Sequence, residues 1–162
     1  MRYENRYYVN PEGLSGGLAL WWNNEVEVKV IEAIKNCIDT LVEMEDKKGR
    51  SRVCWIYAST DFDERRNQWD YIKKSVEIFD IPWLCIGDFN EIKENGEKKW
   101  GRIRGKRRIN NFQEFINDCE LMEVPFKGQL YTCFNKRESG LVRERLGRAL
   151  VNMKWEKEFP CT

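Results

Sequence analysis

The sequence predicts a layered α/β domain, and three observations carry that prediction. Glu25 to Ile31 alternates, with Val26, Val28 and Val30 on one face and Glu25, Glu27 and Lys29 on the other, the pattern of a half-buried strand. Arg52 to Ala58 is a near-continuous apolar run, of the kind found in a strand covered on both faces. Between it and a second buried run, Trp83 to Ile86, the residues Trp69, Ile72, Val76 and Phe79 fall on one helical face. A helix joining two buried strands belongs to an α/β layer arrangement rather than an all-β one.

The remaining elements follow in order. Residues 1–13 are polar and aromatic without clear periodicity, and Pro11–Gly13 reads as a turn. Ser15–Gly17 frees the backbone ahead of a short strand, Leu18 to Trp22, and Asn23 with Asn24 turns the chain. Cys37 to Glu43 alternates like Glu25 to Ile31, so the two suggest an antiparallel meander. Met44 to Arg50 is a charged connection and Ser59 to Glu64 a polar loop. Pro82 blocks continuation of the first helix. Phe112, Phe115, Ile116 and Cys119 mark a second amphipathic helix, and Leu130 to Phe134 reads as another strand. Leu141 to Trp155 has helical character at its end, weakened at Gly147 by roughly 1 kcal/mol relative to Ala. No repeat or long linker divides the chain, so residues 1–162 read as a single domain.

Composition narrows the chemistry. Apolar residues make up 41% of the chain and charged residues 34%, which suits a soluble protein with a sizeable core. The aromatic residues, seven of them Trp, fill a core more often than they stack on bases. Six Cys form no CxxC pair, and the chain has no His, so neither a zinc site nor a His-based catalytic group can be built from it. Cys54, Cys85 and Cys133 lie in apolar runs, as buried free thiols of a reducing compartment would. With no apolar N-terminal segment and no membrane-length run, the chain reads as intracellular and soluble. The net charge is only +1, yet residues 98–108 hold seven Lys or Arg and no acid, leaving −6 over the rest.

Chemistry has one clear candidate place. Asp88 and Asn90 follow a buried strand, and a period of two puts both side chains on one side with Phe89 opposite. An acid and an amide at a strand's carboxyl end can hold an attacking water and a phosphate oxygen. The same residues also suit an Asp/Asn turn that merely caps the strand.

The blocks around that turn resemble the endonuclease/exonuclease/phosphatase superfamily, in the version found in plant LINE-like, non-LTR retroelements. Trp83 to Ile92 (WLCIGDFNEI) is similar to its central signature, Leu14 to Trp21 (LSGGLALW) to its SGGLALLW strand, and Trp55 to Ser59 (WIYAS) to its IYA strand, with Arg65 and Trp69 following. Phe112 to Leu121, Phe126 to Gly128 with Tyr131 and Thr132, and Arg143 to Leu150 (RERLGRAL) complete six blocks in the family's order.

The resemblance implies a four-layer α/β sandwich of the DNase I-like type and Mg2+-dependent hydrolysis of DNA phosphodiesters. It assigns Asp88 to orienting or deprotonating the water, Asn90 to holding the phosphate, and Tyr57 to reaching the phosphate or the leaving group. Tyr57 is equally well placed to be a core aromatic. The family's metal-binding Glu, within an ETK-like block, and its Ser-Asp-His block are not found here, and the Asp expected within RERLDRAL is Gly147. The expectation is therefore an incomplete domain, truncated at both ends, with little or no cleavage of its own. The alternative is a non-catalytic fragment that binds nucleic acid or a protein. Lys98, Lys99, Arg102, Arg104, Lys106, Arg107 and Arg108 would form a flexible arm along DNA phosphates, or else a solvated loop or an import-like basic cluster.

Overall fold

The alternating and apolar runs become neighbours. The computed structural model describes residues 3–12, 17–44, 49–74, 76, 80–137 and 140–160. In chain order the elements are β1 (Asn5–Val9), β2 (Leu18–Trp22), β3 (Val26–Ile34), β4 (Cys37–Met44), β5 (Arg50–Tyr57), α1 (Phe62–Lys74) and β6 (Trp83–Asp88). A single 3-10 turn, Asn95–Glu97, leads into β7 (Lys98–Lys99) and α2 (Lys106–Asp118). The chain closes with β8 (Met122–Glu123), β9 (Cys133–Arg137), β10 (Gly140–Glu144), β11 (Gly147–Val151) and α3 (Met153–Glu158).

Six strands form one sheet in the order β3-β4-β5-β6-β11-β8. Only the β5–β6 pair is parallel, with Arg52 opposite Trp83 and Tyr57 opposite Asp88. A parallel pair needs a crossover, and α1 lies within it. β7-β10-β9 make a three-stranded sheet and β1-β2 a two-stranded one. These sheets with their helices give the mixed α/β arrangement expected.

Alternation sorts the central strands into two faces. Cys37, Cys54, Ile56, Trp83, Cys85 and Leu150 turn toward α1 and α2, where Trp69, Ile72, Phe112 and Phe115 complete the core. Trp69 sits 4.5 Å from the Phe115 ring and 5.9 Å from that of Phe89, distances at which aromatic pairs add to simple burial. The other face carries Thr40, Val53 and Trp55, and Trp55 Nε1 donates to Thr40 Oγ1 at 3.1 Å. Trp69 and Trp83 are buried in the core, whereas Trp21 and Trp100 are exposed.

Several elements differ from expectation, each for a physical reason. β1 was hidden because its inward residues, Asn5, Tyr7 and Val9, mix polarity. α1 starts at Phe62, inside the expected loop, because Asp61 Oδ1 accepts from the amides of Asp63 and Glu64 and so caps the first turn. The Leu130–Phe134 strand begins at Cys133, and the 141–155 segment is mostly strand, with a helix only at Met153–Glu158. There the buried Arg148 disguises an inward position, held by Glu97 at 2.8 Å and Glu123 at 3.4 Å. Cys133 is half-buried, whereas Cys37, Cys54, Cys85 and Cys119 are buried free thiols. Phe79, Cys161 and most of the LSGG segment lie outside the described residues. No described helix is long and apolar enough to cross a membrane.

Candidate functional site

The parallel register of β5 and β6 builds the site. Tyr57 and Asp88 are directly opposed at the strand ends, and both share the parity of Val53, Trp55 and Leu84, the face away from the helices. Across β6 the next strand places Gly147 opposite Asp88. One rung of the sheet therefore reads Tyr57, Asp88, Gly147. Tyr57 is 38% exposed, so it is not a buried core residue.

Gly87 allows this approach. A Cβ there would lie 1.9 Å from the Ile56 carbonyl oxygen, and the residue has φ +143°. Only glycine lets β6 run so close to β5. The strand ends are also stitched together: Ala58 N donates to Asp88 O at 2.7 Å, Tyr57 N to Asn36 O at 3.0 Å, and Asn36 Nδ2 to Tyr57 O at 2.8 Å. Asn36, from the β3–β4 turn, was not singled out from the sequence, where nothing separates it from any other turn Asn.

Asp88 and Asn90 meet through a turn rather than through continued strand alternation. Asn90 has φ 49°, a left-handed conformation that Asn tolerates better than most residues. Its backbone N–H donates to Asp88 Oδ1 at 2.8 Å, and its side-chain Nδ2 donates to Ala58 O at 2.6 Å. That leaves the Asn90 amide oriented and the second Asp88 oxygen free of this turn. Phe89 is fully buried against Trp69 and Phe112 and anchors the turn from below. Burial raises the Asp88 carboxyl above its ordinary value, and the Asn90 amide opposes the rise.

Glu91 is the unexpected residue. It is 1% exposed, and Arg65 Nη2 reaches its carboxylate at 2.6 Å, Arg104 Nε at 3.0 Å and Arg108 Nε at 4.0 Å. Arg65 also donates to the carbonyls of Ser59, at 2.6 Å, and Thr60, at 3.3 Å. Burial pulls the Arg65 guanidinium below its ordinary value and Glu91 pushes it back. The pair thereby locks the loop after Tyr57 to the turn holding Asp88 and Asn90.

The basic segment is not the flexible arm expected. Lys98 and Lys99 pair with Glu144 and Arg143 as β7, and Lys106, Arg107 and Arg108 form the first turn of α2. Between them Arg104 N donates to Asn95 Oδ1 at 3.0 Å, closing the loop. Arg104 Nη2 and Lys98 Nζ both donate to Glu144 Oε1, at 2.7 and 3.0 Å. The seven residues also diverge: Arg107 lies over the Phe62 ring at 4.8 Å, while Lys98, Arg102, Arg104 and Arg108 line one cavity.

A hard divalent cation takes several oxygen ligands. No group of three or more His, Cys, Asp or Glu able to hold a metal occurs among the described residues. Around the Asp88 turn, then, the described residues bring no such cluster of acids together.

No protein-family model and no curated protein sequence matches the chain. Its structure does have counterparts, and they define an endonuclease/exonuclease/phosphatase-like fold. It is similar to the endonuclease domain of TRAS1, a telomere-specific non-LTR retrotransposon, with TM-score 0.66, 10% identity, and coverage of 91% of this chain and 67% of that one. It is likewise similar to an endonuclease/exonuclease/phosphatase family protein from Bacteroides thetaiotaomicron, with TM-score 0.54, 10% identity and coverage of 92% and 60%. Truncated TDP2 of Caenorhabditis elegans gives TM-score 0.53, 12% identity and coverage of 91% and 61%. The chain thus spans about two thirds or less of each of these domains.

Proposed function

We propose that this chain carries the phosphate-handling centre of a retroelement-type DNA endonuclease, of the plant LINE-like branch its motif blocks resemble. We further propose that it binds nucleic acid and by itself cleaves little or none. The observation that carries the reading is the rung on which Tyr57 stands beside Asp88, with Asn90 oriented by Ala58. Each side chain has one job in it. Asp88, whose carboxyl burial raises above its ordinary value, orients a water and accepts its proton. Asn90, with its backbone fixed in the left-handed region, presents its amide to a phosphate oxygen. Tyr57, an exposed residue, donates its hydroxyl to another phosphate oxygen.

What limits the site is equally chemical. With no His, no imidazole can protonate a leaving group or contact the phosphate. The Mg2+ implied by the family resemblance supplies charge neutralisation when bound, and the described residues gather no group of three or more acids to hold it. Losing one preorganised electrostatic contact typically costs about 10²–10³ in rate, and groups acting as a unit lose more together. Nicking of supercoiled plasmid in the presence of Mg2+ is the test. Activity at background, unchanged by Asp88→Ala, is expected. Robust nicking abolished by Asp88→Ala would show a complete catalyst instead.

A further inference from the structure

A cavity of about 420 Å3 opens between the 98–105 loop, the start of α2 and β10, lined by Lys98, Arg102, Arg104, Arg108 and Glu144. We propose that this cavity seats a phosphate of a nucleic-acid strand bound across the Asp88 turn, a subsite distinct from the Asp88 rung. The proposal rests on the phosphate-handling reading above and deepens it.

Charge is the first argument. Lys98, Arg102, Arg104 and Arg108 face the cavity, and Arg65 lies behind them on Glu91. Three carboxylates answer these five cations, Asp61 lying within electrostatic reach of Arg65 and Arg108. Glu144 is taken by Lys98 and Arg104, and Glu91 by Arg65, Arg104 and, more distantly, Arg108. A surplus of two positive charges remains around one hollow, and no ion pair of Arg102 occurs among the described residues. Like charges gathered around one hollow repel, and an anion in the hollow relieves that repulsion.

Order is the second argument. Glu144 holds Lys98 and Arg104, Glu91 holds Arg104 from the other side, and the Asn95–Arg104 hydrogen bonds fix the loop backbone. The cations therefore need little rearrangement to receive an anion, which removes much of the entropic cost of binding. Forked guanidinium groups suit the tetrahedral oxygens of a phosphate. Three cations in the first turn of α2, with no acid among them, oppose the helix dipole, so they do not serve helix stability.

Position is the third. Arg108 Nη2 donates to Thr60 O at 3.4 Å, and Thr60 follows Tyr57 by three residues. Arg104 and Arg108 also reach Glu91, which follows Asp88 by three residues. Through these contacts the cavity lining is tied to both the loop after Tyr57 and the turn after Asp88. Lys99 and Lys106 are exposed elsewhere, and Arg107 lines a different hollow with Arg66 and Glu114. The subsite therefore belongs to four of the seven basic residues.

The test is fluorescence anisotropy of a labelled DNA duplex as a function of NaCl, with inorganic phosphate as competitor. Replacing Arg102 and Arg108 together by Ala is expected to weaken binding about tenfold or more and to lower the magnitude of the log–log salt slope by about 1–2. Arg102→Ala alone, at an exposed residue, is expected to act in the same direction without touching the fold. Lys99→Ala with Lys106→Ala is expected to change affinity less than about threefold. Equal losses in both sets, or no loss in the first, would overturn the subsite, as would absence of wild-type binding at low salt. Phosphate that protects the cavity while DNA affinity ignores the Arg variants would assign it to a free anion and overturn the proposal too. Asp88→Asn separates the two readings. The Asp88 centre expects it to tighten DNA binding by removing a like charge, and a flat response there with loss from Arg102→Ala sinks the centre and leaves the subsite standing.

Discussion

The Phe89–Ile92 turn and the Lys98–Gly105 loop are neighbours in sequence, share partners, and handle charge in opposite ways. In the turn, Glu91 is buried and saturated by guanidinium groups, and Phe89 is sealed in the aromatic core. In the loop, Arg102 is exposed and the cations outnumber the acids they meet. The first arrangement fixes geometry, since a buried ion pair is weak evidence of net stability but strongly resists losing one partner. The second leaves charge unspent for something that arrives from outside. The fold uses Arg104 as the hinge between them, with one nitrogen on Glu91 and another on Glu144.

The largest expected effect breaks the first region. Glu91→Ala leaves Arg65 charged, buried and without its carboxylate, and breaking such a pair typically costs about 3–5 kcal/mol. Arg102→Ala, on the other side of the comparison, is expected to stay within about 0.5 kcal/mol of the parent. Denaturant unfolding of both variants reads the contrast directly. Similar losses in the two would show that the loop is as structural as the turn.

How much of this was legible in the sequence depends on what kind of signal each feature leaves. Strands β2, β3, β4, β5 and β6 were readable because alternation or continuous apolarity is a one-dimensional record of two faces. Asp88 and Asn90 were readable because Gly-Asp-x-Asn follows such a strand. Glu91 was not, because a charged residue at a strand end reads as solvated unless its three guanidinium partners are known, and these come from positions 65, 104 and 108. The start of α2 was missed for a related reason. Its first turn is all basic, and its N-cap, Gly105, supplies no side-chain cap. Arg148 misled in the other direction, as an inward position disguised by charge.

A middle-sized effect sharpens the account of Asp88. Its carboxyl is raised by burial, so between the unfolded value, about 3.9, and its higher folded value the native state binds more protons than the unfolded chain. Stability therefore falls as pH rises through that window, and the loss is complete above it. Asp88→Asn removes the charge, while the new amide oxygen can still accept from Asn90 N. The variant is expected to melt higher than the parent at pH 7, with the gain disappearing near pH 3. A gain that persists at low pH would mean that the carboxylate's charge is not the cause. No gain at any pH would place Asp88 with Glu91, as a structural acid.

The smallest effect concerns the third member of the Asp88 rung. Gly147 lies in β11 opposite Asp88, and its φ is not in the left-handed region. A Cβ there would meet Thr132 Oγ1 at 3.4 Å and Thr132 Cβ at 3.5 Å, ordinary van der Waals contact. Nothing in the backbone or the packing requires glycine, so Gly147→Ala is expected to stabilise by about 0.4–1 kcal/mol through the unfolded state alone. Gly147→Asp adds the same Cβ but puts a carboxylate on the rung beside Asp88, because opposed residues of antiparallel strands share a face. It should forfeit that gain at neutral pH and recover it in acid, where both carboxyls are neutral. Thermal melts of the two variants at pH 3 and pH 7 distinguish charge from size. If Gly147→Asp melts like Gly147→Ala at both, the two side chains do not face one another, and the rung that places Tyr57 beside Asp88 must be redrawn as well.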